Sequence, residues 1–181
     1  MKIDTLRVRA QGTCRLPIDG VDALSWVGEA IEDICSKHPE AGKRTEEEIS
    51  ISVVPSDYII KKSLLKLIEI TNQDGRRVEN VPCNFVLNDD NTVTFFKSGS
   101  FKIKYLSLPD IPGNVNSEIP LPHFYVPCIT FYLAYKIRGG LFGQGDANAV
   151  SFYQLYEAKR DNGDIARQRQ PMKRRMPPGR G

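Results

Sequence analysis

IPLPHFYVPCITFYLAYKIRGGLFGQGDANAVSFYQLYEAKRD, residues 119–161, decides the fold. Ile129, Leu133 and Ile137 recur every four residues, and Phe131, Tyr132 and Tyr135 widen the apolar surface. A helix buried on most sides is therefore expected over about 122–139. Pro122 suits a first turn, where its missing N–H costs nothing, and Pro127 is tolerated only if it also falls in the first turn. Gly139, Gly140 and Gly143 frame the end of that helix. Asp146 then caps a second helix, about 146–161, with Ala149, Phe152, Tyr153 and Tyr156 as its apolar stripe and Gln154, Glu157 and Lys159 outward. Two helices joined by a short glycine-rich turn make an αα-hairpin.

Upstream, Leu24, Val27, Ile31 and Ile34 share one helical face, with Glu29, Glu32 and Asp33 off it. They predict a helix over about 21–37, capped by Asp19 or Asp22 and stopped by Pro39 and Gly42. Trp26 stands off that seam and is expected to face a neighbouring helix or subunit. The period then changes. Ile49, Ile51 and Val53 alternate with Glu48, Ser50 and Ser52, as in a half-buried strand ending at Pro55. SDYIIKKS reads as a connection, and Leu65 to Thr71 as a strand with apolar groups on both faces. Asp74-Gly75 makes a tight turn with a returning strand from Arg76 to Val81. CNFVLN, TVTFFK and SFKIKYLSL, divided by Asp89-Asp90-Asn91 and Ser98-Gly99, read as an antiparallel meander. In the last of these, Phe101, Ile103, Tyr105 and Ser107 share one face and Lys102, Lys104 and Leu106 the other. Residues 3–10 alternate loosely and read as a strand or arm.

The expected fold class is α+β. A helical cluster, made of the N-terminal helix and the C-terminal αα-hairpin, carries an inserted β-meander over about 48–108. One domain spans 1–162, and residues 163–181 form an extended basic C-terminal arm. With 40% apolar and 26% charged residues the composition is that of a soluble globular chain. No apolar run approaches the ~18 residues of a membrane span, and MKIDTLRVRAQ lacks the apolar core of a signal peptide, so no membrane partner and synthesis in a cytosol are expected. Cys14, Cys35, Cys83 and Cys128 are far apart and form no metal-type pair, so core-packed free thiols are expected.

No catalytic or metal constellation stands out. His38 precedes a proline at a helix end and His123 lies among prolines, and neither has partners at metal-ligand spacing. The glycines at 139, 140, 143 and 145 follow a helix and lack the Lys-Ser/Thr of a phosphate loop, so a helix–helix turn explains them. Asp89-Asp90-Asn91 lacks the frame of a calcium loop, and Glu46-Glu47-Glu48 reads as a solvated entry to a strand. No enzyme, cofactor or metal is expected.

The arm, GDIARQRQPMKRRMPPGRG, is the strongest anomaly. It carries Arg167, Arg169, Lys173, Arg174, Arg175 and Arg180 against Asp164 alone, a net charge of +5, while the remaining nineteen basic and twenty-one acidic groups give the rest of the chain −2. Three prolines, three glycines and few large apolar groups cannot bury enough surface to fold alone. These basic residues are the expected partner-binding set, for a neighbouring subunit, another protein or nucleic acid.

Three stretches in this order resemble tailed-bacteriophage head-to-tail adaptor (connector, or neck) proteins over about residues 21–162. The first is ISVVPSDYIIKKSLLKLIEITNQDGRRVEN, with its DG hairpin, and the second NTVTFFKSGSFKIKYLSLPDIP. The third is the hairpin, through Leu121-Pro122, Tyr125, Tyr132-Leu133-Ala134, Gly145-Asp146-Ala147 and Phe152-Tyr153. The resemblance implies a non-enzymatic virion protein: a homo-oligomeric ring, typically a dodecamer, docked beneath the portal protein. Such a ring extends the DNA channel and offers a platform to tail or neck proteins. The arm lies outside the resemblance. Its arginines could pair with carboxylates on the portal or a neighbour, or meet packaged DNA nonspecifically through phosphates. Protein docking is favoured, because tight phosphate contacts in a transit channel would slow DNA ejection. The alternative is a small nucleic-acid-binding protein using the arm, although the body concentrates Lys and Arg on no one element and shows no RNA-recognition, KH or zinc-finger signature.

Overall fold

The computed structural model describes residues 1–17, 20–88 and 91–168. In chain order the elements are α1 (Ile3–Cys14), α2 (Gly20–Lys37), a 3-10 turn (Pro39–Ala41), β1 (Lys43–Ile51), β2 (Ser56–Ile59), β3 (Leu64–Asn72), β4 (Phe85–Leu87), β5 (Thr92–Phe95), β6 (Gly99–Ser107), α3 (Val126–Phe142) and α4 (Ala147–Gln168). The fold is α+β, with helices and two antiparallel three-stranded sheets. The chain divides into two compact units, one formed by Met1–Val27 with the chain from Gly113 on, the other by Gly28–Pro112. The β region is thus an insertion between helical segments.

The helical unit contains α1, α3, α4 and the start of α2. Residues 3–10 are a helix and not a strand or arm. Ile3, Leu6, Ala10 and Cys14 are buried at spacings of three and four, while Val8, which creates the apparent alternation, is 54% exposed. The start of α1 is tied down as the Ile3 and Asp4 N–H groups donate to the carbonyls of Ser117 (3.1 Å) and Val115 (2.8 Å). These bonds satisfy two donors that a helix start leaves open. α1 packs against α3. In α2, Val27, Ile31 and Ile34 are fully buried as the spacing required, with Leu24 half-buried. Asp19, one of its two expected caps, lies outside the described residues.

α3 begins at Val126, later than expected, so that Pro127 falls in the first turn. It also continues through Gly139-Gly140 and stops at Gly143, whose φ of +88° is open to glycine at little cost. α4 runs beyond 161 to Gln168, so the start of the expected arm is helical.

In the β unit the strands are antiparallel but not in sequential order. One sheet runs β1-β6-β3 and the other β2-β5-β4. β4 and β5 form the expected hairpin, but β6 crosses to the other sheet instead of completing a meander, pairing with β1 and β3. SDYI, expected as a connection, is β2. β1 ends at Ile51, and Val53 is 73% exposed, not inward. In β3 the register against β6 shifts between Leu64 and Lys66 and again between Leu67 and Glu69. These bulges bring Leu64, Leu67 and Ile70 opposite Ser107, Tyr105 and Ile103, so the inner residues recur every three positions, not every two. The Asp74-Gly75 turn forms with Gly75 at φ +74°, but its return is a single bridge, Thr71 with Arg77, and not a strand. Asp89 and Asp90 of the expected β4–β5 turn lie outside the described residues. Ile49, Ile51, Ile70, Phe101, Ile103 and Tyr105 of the first sheet share a core with Phe85, Val93 and Phe95 of the second, and the Phe95 and Phe101 rings stack at 4.8 Å.

Candidate assembly surfaces

The α3–α4 hairpin is locked at both ends. At the turn, Asp146 accepts from the Ala149 N–H (3.0 Å) and takes the Arg138 guanidinium in a two-pronged pair, Nε to Oδ1 at 3.1 Å and Nη2 to Oδ2 at 3.0 Å. The Arg138 bond, then the Ala149 N–H, holds the Asp146 carboxyl below its ordinary value. Arg138 also lies over the Phe142 ring at 4.4 Å. Along the helices, Tyr132 meets Tyr156 and Tyr135 meets Tyr153, each pair at 5.0 Å between ring centroids. Farther from the turn, Lys159 sits over Phe131 at 5.4 Å, and buried Arg160 covers Tyr156 at 5.4 Å while its Nε donates to Asp161 at 2.9 Å. Aromatic pairs of this kind add about 0.5–1.5 kcal/mol each beyond burial. The expected stripe of α4 is therefore the seam, with Ala149 and Tyr156 buried and Phe152 and Tyr153 half-buried.

Beside the turn lies a cleft of about 310 Å³ lined by Pro17, Asp22, Trp26, Lys136, Ile137, Gly140 and Leu141. Trp26 thus faces α3, as its position off the α2 seam had implied. Leu141 and Phe142 are 59% and 58% exposed at the end of α3. Nothing lies within 4 Å of where a Gly140 Cβ would be.

The outward face of the β1-β6-β3 sheet forms an open polar groove of about 590 Å³. Cross-strand partners pair its charges: Lys102 with Glu48 at 2.9 Å and Lys104 with Glu69 at 2.7 Å. These bonds lower the Glu48 and Glu69 carboxyls and raise the Lys102 ammonium. On the inward side, Glu47 accepts from both the Tyr58 hydroxyl (2.5 Å) and the Tyr105 hydroxyl, so one carboxylate joins strands of both sheets. Burial first, and then Glu47, pushes the Tyr58 phenol up to about 12 and the Tyr105 phenol higher still. The acidic run of β1 is therefore mostly solvated, as expected: Glu46 and Glu48 are exposed, Glu48 in a surface pair with Lys102, and only Glu47 turns inward to join the sheets.

Of the basic residues expected to bind a partner, Arg167 has its backbone in the last turns of α4, and Arg169, Lys173, Arg174, Arg175 and Arg180 lie outside the described residues. Hence no shared site can be drawn for them. The His38 imidazole approaches Glu40 at 3.5 Å and the His38 backbone N–H donates to the Ile34 carbonyl, while exposed His123 meets the Phe124 ring edge-on. Among the described residues no cluster of His, Cys, Asp and Glu could hold a metal ion, and no helix is long and apolar enough to cross a membrane. Cys14, Cys35 and Cys128 are buried free thiols, but Cys83 is exposed, contrary to expectation. The Trp26 cleft was only half legible in sequence: the off-seam tryptophan pointed to it, but the continuation of α3 through two glycines did not. No protein-family model and no curated protein matches this chain.

Proposed function

We propose that this protein is a head-to-tail adaptor of a tailed bacteriophage. It is a non-enzymatic virion protein of the neck, made in the bacterial host cytoplasm. It assembles as a ring beneath the portal protein, extends the DNA channel and presents a platform to tail or neck proteins.

The observation that carries the reading is the α3–α4 hairpin. Most of the hairpin's motif residues fall on one braced unit, Tyr132-Leu133-Ala134 on α3, Gly145-Asp146-Ala147 at the turn and start of α4 and Phe152-Tyr153 on α4, while Leu121-Pro122 and Tyr125 precede α3. Several take part in its bracing, through Tyr132–Tyr156, Tyr135–Tyr153 and Arg138–Asp146. A stiff hairpin suits a ring, where each contact repeats around the axis and a small misalignment would accumulate. α4 leads directly into the basic segment, so the charge follows a helix in the chain. Weak arms repeated around a ring gain avidity once the bodies are docked.

The net charge of the last nineteen residues also supports a second reading, a nucleic-acid-binding protein that uses this segment on phosphates. Reversing Arg167, Arg169, Lys173, Arg174, Arg175 and Arg180 to Glu in the full chain separates the two. The adaptor reading expects unchanged circular dichroism and loss of co-purification with the portal protein. The alternative expects unaltered behaviour toward the portal and loss of a salt-dependent shift of nonspecific duplex.

A further inference from the structure

The cleft beside the hairpin turn, of about 310 Å³, is open among the described residues. It is lined by Asp22 and Trp26, one turn apart on α2, by Ile137, Gly140 and Leu141, which share one side of α3, and by Pro17 and Lys136. Glycine inside a helix is destabilising, and here no neighbouring atom requires one, since a Cβ at Gly140 would meet nothing within 4 Å. The missing side chain keeps the cleft open. The apolar lining ends at Leu141, which is more than half exposed.

An aromatic wall beside a carboxylate is the chemistry that receives a proline-rich strand followed by a cation: the prolines lie against the ring and the cation meets the acid. The chain carries one such stretch outside the described residues. Met176-Pro177-Pro178-Gly179-Arg180 joins the only Pro-Pro pair in the sequence to an arginine two residues on. Consecutive prolines favour the extended polyproline helix before binding, which lowers the ordering cost.

We propose that the Trp26–Leu141 cleft of one copy takes residues 176–180 of a second copy, with Pro177 and Pro178 against Trp26 and Arg180 on Asp22. Reach favours the second copy. The cleft residues of α3 stand level with the start of α4, as Tyr135 pairs with Tyr153, and Gln168 lies about 27 Å farther along at helical rise. The nine steps from Gln168 to Pro177 span at most about 32 Å when fully extended, so they reach back only as a nearly straight strand. Return to the chain's own cleft would require a taut strand, whereas a neighbour's cleft imposes no such limit. The assignment needs no portal and stands independently of the adaptor reading.

Trp26 is the only tryptophan, so its fluorescence reports the cleft alone. The test is acrylamide quenching of the full-length protein over a dilution series. It is compared with a Pro177→Gly, Pro178→Gly, Arg180→Glu variant altered only in the C-terminal segment. Quenching of the wild type should rise about two-fold on dilution to the level of the variant, which should not depend on concentration. A synthetic peptide of residues 169–181 should restore protection to the variant. Gly140→Leu, which fills the cleft, should remove the peptide's effect while leaving circular dichroism unchanged. Identical quenching of wild type and variant at every concentration, with no peptide effect, would overturn the proposal. Protection that the variant loses but dilution does not would overturn the assignment to a second copy.

Discussion

At the residue scale, Asp146 does two jobs. It caps α4 through the Ala149 N–H and anchors Arg138 across the turn. Because these partners depress its carboxyl in the folded state, its contribution to stability is present above the ordinary value of 3.8 and fades as pH falls through the lower folded value. Asp146→Asn keeps the shape and removes the charge. It should lower the thermal midpoint at neutral pH, with the gap to wild type closing as the solution is acidified below the ordinary carboxylate range. A gap unchanged across acid pH would rule out this role. The cysteines give a second expectation. Burial, then Glu40, pushes the Cys35 thiol up to about 11, and Cys14 and Cys128 are buried too. A thiol reagent should therefore titrate one cysteine per native chain, Cys83, and all four only after unfolding. Rapid native reaction of more than one would contradict the burial.

At the element scale the hairpin seam should dominate the stability of the helical unit. Tyr156 is fully buried and touches Tyr132, Tyr153 and Arg160. Tyr156→Ala should cost about 3–5 kcal/mol in urea unfolding, as for other large aromatic truncations. Exposed Gln154→Ala should change stability by less than about 0.5 kcal/mol. Elements with a single clean period were legible in the sequence. The α2 face, the α4 stripe and the inner face of β6 all lie where spacing put them. Elements with two overlapping periods were not. In α1, Val8 supplied a false alternation over the helical set Ile3, Leu6, Ala10 and Cys14. In β3, two bulges reset the phase, so Leu64, Leu67 and Ile70 point inward together. Strand order was hidden for a different reason: hydrophobic alternation says which face is buried and carries no information on which strand is the neighbour. The basic set of the candidate site was visible from charge alone, while the cleft required knowing that α3 passes through Gly139 and Gly140.

At the scale of the whole molecule, the proposed adaptor reading joins three features: the braced hairpin, the open cleft beside its turn and the cationic segment beyond α4. On that reading each would meet another macromolecule, and the proposed copy-to-copy link through Pro177-Pro178-Gly179-Arg180 would be strengthened by repetition in a ring. The measurement that tests the central claim most directly is the native mass of the full-length protein, dilute and alone and then mixed with its candidate portal protein. The adaptor account predicts a dilute species of low copy number that becomes a stoichiometric ring on the portal. A protein that ignores the portal and instead binds duplex DNA in a salt-dependent way would contradict it.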